Sequence, residues 1–372
     1  MINLGIAGSA GRGKSFKTAC DACKDVNILA VCDINEDKLC ESKELLGAVE
    51  MYTDYYEMLE NSDIQAVVIG TPMQFHAEQT IAALERDIHV LCEVTAGVSI
   101  EECKAVVEAE KKSRAVYMMA ENYTYMKENA LVKNLVDSGL FGEIYYAEGE
   151  YLHELKWLAE DTKWRRHYQM GIDGITYGTH SLGPILQWMP GDRVVKICCE
   201  GTGNRHCDPR DEPYCQSSSV MLAKTANGAL IKIRQDLLSD RPNAETNYQL
   251  QGTKGCYESS RKGPVDHAKI WFDKLGGTSC NWHSLDSIFN IDELSAKYVP
   301  ELWRNPPEEA KRAGHGGGDY FELMDFVDSI NGKIKCPIGI HEAMDMTLPG
   351  LISQQSILEN GRWFEVPDSR TW

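Results

Sequence analysis

The sequence predicts an α/β protein: a doubly wound parallel sheet in the N-terminal third, then a second domain on a mainly antiparallel sheet. Three observations carry this. Short apolar runs alternate with helically spaced segments over the first 120 residues, as in parallel strands joined by helices. The first run ends in a glycine-rich turn. Beyond residue 120, strand-like segments are instead joined by hairpin turns.

The elements follow in order. Strands are expected at 2–8 (INLGIAG), 27–33 (NILAVCD), 65–70 (QAVVIG), 88–93 (IHVLCE) and 115–119 (AVYMM), with helices at 77–86 and 100–112. Helical runs at 126–138 and 178–188 precede strand-like segments at 193–200, 217–224, 228–236 and 246–252. NGA at 227–229 and GTKG at 252–255 read as hairpin turns. Residues 259–312 have little periodicity around Trp271, Trp282 and Trp303, and are expected to close over a ligand or a neighbouring subunit. GHGGGD at 314–319 leads into an amphipathic helix, and the helices after 318 are expected to pack back on the first domain. The expected domains are 1–120 and 121–372.

A length of 372 residues suits roughly two domains at about 150 residues each. With 38 basic and 56 acidic residues the net charge is −18, which repels phosphate backbones and anionic membranes; neither nucleic acid nor membrane is an expected partner. The 13 cysteines are scattered, mostly in apolar runs, and read as free buried thiols of a reducing compartment. Cys20 and Cys23 form a lone CxxC that reads as packing. The opening MINLGIAG is already a strand, so a cytoplasmic location is expected. His206, Cys207, Asp208 and Cys215 fit no standard metal spacing, and no metal is expected.

Residues 8–15, GSAGRGKS, satisfy the phosphate-binding pattern GxxxxGK[ST]. The competing reading is a dinucleotide turn, with Gly8, Ala10 and Gly13 in the GxGxxG places and alanine in the second. Asp33 ends the next strand 20 residues after Gly13, where a carboxylate accepts from adenosine ribose hydroxyls. The third strand runs into Thr71, Pro72 and, through two more residues and Phe75, His76; the fourth runs into Glu93. A phosphate-only site needs none of these, so the dinucleotide reading is preferred. Asp33 repels a 2′-phosphate, which favours NAD over NADP.

These features resemble the Gfo/Idh/MocA family: a glycine-rich first turn, an acid ending the second strand, TPxxxH after a later strand, and a glutamate after the next. The family's usual Glu-Lys-Pro is replaced by Glu93-Val94-Thr95, and its usual Asp four residues before the catalytic His by Thr176, before His180. Both departures are shared with the NAD-dependent glycosidases of glycoside hydrolase family 109. Further similar stretches are EVTAGVSIEEC (93–103), AEN (120–122), GEYLHE around Tyr151 and His153, KWR (163–165), YGTHSLGP (177–184), QGT (251–253) and GHGGGDY (314–320).

The resemblance implies a Rossmann domain followed by an α/β domain on an open, mostly antiparallel sheet. It implies hydride transfer between a nicotinamide and a sugar or related substrate, and a homo-oligomer. Glu93 and Glu121 would contact the nicotinamide ribose and its surroundings. With no lysine in the Glu-Lys-Pro place, the base is sought among His180, Tyr177, Tyr151 and His153. His180 has a near-neutral intrinsic pKa and is preferred. Tyr177 and His180 share a face if they start a helix. Tyr151 and His153 share a strand face. Trp164 and Arg165 would pack on the cofactor or clamp a polar ligand.

The leading expectation is oxidation of a ring hydroxyl, at C3, of a sugar or glycoside by NAD. An alternative is redox-neutral glycoside cleavage by oxidation, elimination, water addition and re-reduction. A P-loop nucleotide hydrolase and a non-catalytic dinucleotide sensor are the readings from other classes.

Overall fold

The structure, a computed structural model, describes residues 1–206, 215–261, 266–273, 281–290 and 292–372. It divides into two compact units. The first comprises Met1–Met126, Pro307–Met344 and Asp368–Trp372; the second comprises Lys127–Pro306 and Asp345–Pro367. The first boundary thus falls six residues beyond 120, and residues 307–344 join the N-terminal part.

The first unit holds a six-stranded parallel sheet in the order β3-β2-β1-β4-β5-β6. Its strands are β1 (Ile2–Ala7), β2 (Val26–Cys32), β3 (Glu50–Tyr52), β4 (Ala66–Ile69), β5 (His89–Glu93) and β6 (Tyr117–Ala120). Sequence reading missed β3, three residues at the sheet edge with no buried member. β4 and β6 are buried at every position, because helices cover both faces of a parallel sheet. Order reverses between β1 and β4, which opens a crevice at the strands' carboxyl ends. Helix α1 (Lys17–Ala22) follows the glycine-rich turn, and α2 is Glu36–Leu46. Then come α3 (Tyr55–Asn61), α4 (His76–Leu84) and α5 (Ile100–Lys112). Ser99 caps α5 through its hydroxyl, which accepts from Glu102 N–H. The helix Gly318–Ile330 also belongs to this unit.

The second unit is built on a nine-stranded sheet. Its strands are β7 (Ile144–Leu152), β8 (Val194–Gly201), β9 (Ser219–Thr225), β10 (Leu230–Asp236) and β11 (Ala244–Gly252), then β12 (Gly255–Glu258), β13 (Lys269–Phe272), β14 (His283–Ser284) and β15 (Phe364–Glu365). The order is β14-β13-β12-β11-β7-β10-β9-β8-β15. Hairpins join β9 to β10 and β11 to β12 at the expected turns. The sheet is mixed: β10 lies parallel to β7, while the other pairs are antiparallel. A parallel pair needs a long crossover, and β8, β9 and the helix Thr179–Gln187 intervene here. Gly149 lets that helix approach: a Cβ there would fall 2.4 Å from Ser181 O. Between 259 and 312, the described residues hold β13, β14 and four short helices; 262–265, 274–280 and 291 lie outside them.

Among the described residues no helix is long and apolar enough to cross a membrane. Cys20 and Cys23 are buried and free, and burial pushes both thiols up, that of Cys20 to about 12.

Candidate functional site

The first unit assembles one cluster at the carboxyl edge of its sheet. Gly8 closes β1 with φ +72°, and a Cβ there would sit 2.5 Å from Gly70 O. A Cβ at Gly13 would meet Ile6 Cγ2 at 2.6 Å, so only glycine lets the turn lie this close to strands β1 and β4. Ala10 N donates to Asp33 Oδ2 at 2.9 Å, and Asn35 N to Oδ1 at 3.0 Å. Two backbone bonds therefore orient the carboxylate, and each oxygen keeps a lone pair for a hydroxyl.

Thr71 and Pro72 follow β4, and Thr71 Oγ1 donates to Gln79 Oε1 at 2.6 Å. His76 begins α4 and is buried, with Nδ1 2.8 Å from Thr95 O and Nε2 2.8 Å from Thr71 O. Only a doubly protonated ring donates to both carbonyls. Burial pushes this imidazole down, but the Cys92 sulfur and the two carbonyls outweigh it and hold it up to about 9.

Glu93 ends β5, and Glu121 follows β6 as a buried residue whose Oε1 accepts from Tyr123 N. Arg12 binds both this edge and the helix Gly318–Ile330. Its Nε donates to Glu93 Oε1 at 2.7 Å, and its terminal nitrogens grip Asp319 at 2.9 and 3.1 Å. His315 Nδ1 stands 2.8 Å from Asp319 Oδ1 and 3.2 Å from Asn122 Nδ2. Burial opposes ionisation of Asp319, but His315 and Arg12 prevail and hold it down to about 2. Glu322 is fully buried; burial, then Asp319 and Glu93, push its carboxyl well above the usual range, so it is the neutral acid of the group. Sequence reading assigned no role to Arg12, Asp319 or Glu322. The available signal was an arginine inside the glycine turn and the acid of GHGGGD.

The second unit brings Tyr151, His153, Tyr177 and His180 together. Tyr151 and His153 stand at the end of β7; Tyr177 precedes the helix that carries His180 in its first turn. Ring centroids are 5.5 Å apart for Tyr151–His180, 5.8 Å for Tyr151–Tyr177 and 5.2 Å, at 90°, for Tyr177–His180. Tyr151 Oη lies 3.0 Å from His153 Nδ1. Burial first, then Arg165 and His180, pushes the His153 imidazole down against the pull of Glu245, 3.5 Å away. The ring is therefore neutral at pH 7. The Tyr248 hydroxyl donates to His180 O and anchors the helix start. Trp164 and Arg165 lie in this unit. The Arg165 guanidinium stacks 4.5 Å over Trp164, and its NH1 donates to Gln169 Oε1 at 2.7 Å.

Of the four metal candidates, His206 Nδ1 faces Ser217 Oγ at 3.0 Å and Cys215 Sγ faces Gly171 O, while Cys207 and Asp208 lie outside the described residues. No group of three or more metal-ligating side chains occurs among the described residues.

Three family models match the chain. Residues 2–121 match the oxidoreductase family with NAD-binding Rossmann fold (GFO_IDH_MocA), and residues 130–258 the GFO/IDH/MocA C-terminal domain. Residues 216–371 match the glycosyl hydrolase 109 C-terminal domain. A glycosyl hydrolase family 109 protein of Shewanella woodyi is 28% identical over 96% of this chain and 79% of its own length. An alpha-N-acetylgalactosaminidase of Shewanella oneidensis is 27% identical over 99% of this chain and 85% of its own length. Among solved structures, a levoglucosan dehydrogenase in complex with NADH and levoglucosan superposes with TM-score 0.76 at 20% identity, covering 98% of this chain and 99% of that one. An inositol dehydrogenase homolog complexed with NAD+ from Azotobacter vinelandii gives TM-score 0.76 at 19% identity, covering 98% and 97%. The first domain is thus an NAD-binding Rossmann domain, and the P-loop reading of residues 8–15 falls. The glycine-lined turn and the oriented Asp33 carboxylate fit that cofactor.

Proposed function

The chain belongs to the Gfo/Idh/MocA oxidoreductase family, and from that premise we propose that it oxidises a ring hydroxyl, at C3, of a sugar or glycoside. The observation that carries this is the convergence of Tyr151, His153, Tyr177 and His180, two imidazoles and two phenols with ring centroids 5.2–5.8 Å apart. Such a set binds a neutral polyol and moves a proton without placing fixed charge on it. His180 takes the hydroxyl proton as the carbinol hydrogen leaves. Tyr151 and Tyr177 hold the sugar, and His153, kept neutral by burial, accepts or donates at Tyr151 Oη. Bound NAD supplies the hydride acceptor.

On this reading Gly8, Ala10 and Gly13 receive the pyrophosphate and Asp33 the adenosine ribose. Thr71, Pro72, His76, Glu93 and Glu121 shape the nicotinamide end, and Trp164 and Arg165 pack on the cofactor or clamp a polar ligand. A cytoplasmic homo-oligomer belongs to the same proposal.

The glycosyl hydrolase 109 match over 216–371 favours a second outcome of the same first step. With a ketone at C3, the C2 hydrogen is acidic. A base removes it, and the C1–O bond breaks with its electron pair on the departing oxygen. Water then adds across the C1=C2 bond, its oxygen to C1 and a proton to C2, and return of the hydride to C3 with a proton to its oxygen gives hydrolysis with no net redox change.

Both outcomes are read in one experiment: p-nitrophenyl α- and β-glycosides, with and without NAD, followed for nitrophenol and for NADH absorbance. NADH with intact glycoside marks the dehydrogenase. NAD-dependent nitrophenol without net NADH marks the glycosidase. Neither product across a broad sugar panel would sink the proposal.

A further inference from the structure

Beside the ring cluster, within the second unit, lies a small uncharged cavity. It is lined by Gln169, Met170, Gly174, Ser219, Gln235 and Leu237, among others. Its enclosed part admits little more than one water-sized group. Two lining side chains are nearly inaccessible, Gln169 at 1% and Gln235 at 5% exposure. Gln169 Nε2 and Gln235 Oε1 are buried atoms with no hydrogen-bond partner. The Gln169 amide is oriented from behind: a guanidinium has only donors, so Arg165 NH1 requires Oε1 and leaves Nε2 as the spare group.

Placement follows from the sheet. Gln235 on β10 is the register partner of Tyr151 on β7, and Ser219 on β9 is the register partner of Gln235. Directly paired residues share a face. Tyr151 faces His180, so Gln235 and Ser219 stand on the same side of the sheet as the ring cluster. Gly174 lies three residues before Tyr177.

A buried donor and a buried acceptor left unmet are costly, and one ligand hydroxyl meets both, accepting from Nε2 and donating to Oε1. A carboxylate or ammonium meets only one, and no cavity side chain balances its charge. We propose that this cavity seats one free hydroxyl of the sugar next to the reacting position, making Gln235 and Gln169 determinants of which sugar is accepted. The proposal rests on the function above.

The test uses the NAD-loaded full chain and p-nitrophenyl glycosides paired with their deoxy counterparts at each ring position. Wild-type enzyme should prefer one hydroxyl over its deoxy partner by about tenfold to a hundredfold in kcat/KM. Gln235→Leu should erase that preference at that position alone, with the other positions, NAD affinity and Tm kept. Gln235→Met repeats the test should the leucine variant fold poorly. A wild type that acts on glycosides, with variants that keep the full hydroxyl ranking, overturns the subsite and leaves the cavity a water site. A wild type that acts on no glycoside overturns the underlying function, and the subsite with it.

Discussion

The two side-chain clusters, one in each unit, are built on opposite electrostatic plans. In the first unit Arg12 is held by Glu93 and Asp319, with His315 behind Asp319 and a neutral Glu322 alongside. In the second, four rings meet with no lysine or arginine among them, and burial keeps His153 uncharged. In a charge cluster of the first kind Arg12 and Asp319 direct their hydrogen bonds to each other and to Glu93 and His315, so these members act on position and stability. A cluster of weakly acidic and basic rings keeps protons that can move at neutral pH.

The sharpest way to break this contrast is His180→Ala. It should lower turnover by about a thousandfold while NAD affinity, measured by fluorescence titration, is kept. Lost NAD binding would contradict its sugar-side role.

Arg12→Ala should instead act on folding. It leaves Asp319, which is 0% exposed, without its guanidinium. Breaking a buried pair from one side costs about 3–5 kcal/mol, and the partial exposure of Arg12 puts the expected loss at the lower end, read by urea denaturation.

A comparable effect, spread over a pH range, is a pH slope. His76 is held at about 9 in the folded chain against about 6.5 unfolded. Its stabilisation is therefore complete below about pH 6.5 and lost as the pH rises through about 9, a total on the order of 3 kcal/mol. His76→Gln should flatten that part of the stability profile. An unchanged slope would mean that His76 is neutral and donates to one carbonyl only.

Much of this was legible in local sequence. The helix at 100–112 is found at those residues, because Ser99 caps it and apolar positions recur on one face. The hairpin turns at 227–229 and 252–255 were marked by glycine. Tyr177 and His180 were expected together from their spacing, and their rings do meet. Asp319 was not legible as a partner of Arg12, because 307 residues separate them and nothing local couples them. The parallel pairing of β10 with β7 was hidden for the same reason: each strand's own pattern is the same whichever neighbour it takes.

By itself, then, the sequence determined the alternation of strands and helices, the glycine turn with Asp33 beyond it, and the residue types of the ring cluster. These depend on backbone propensity and short-range spacing, which act within a few residues. Tertiary structure decided which distant groups meet: Arg12 with Asp319, Tyr151 with His180, Gln235 beside Tyr151. It also decided how their protons are held, since desolvation and neighbouring charge exist only once the chain has buried them.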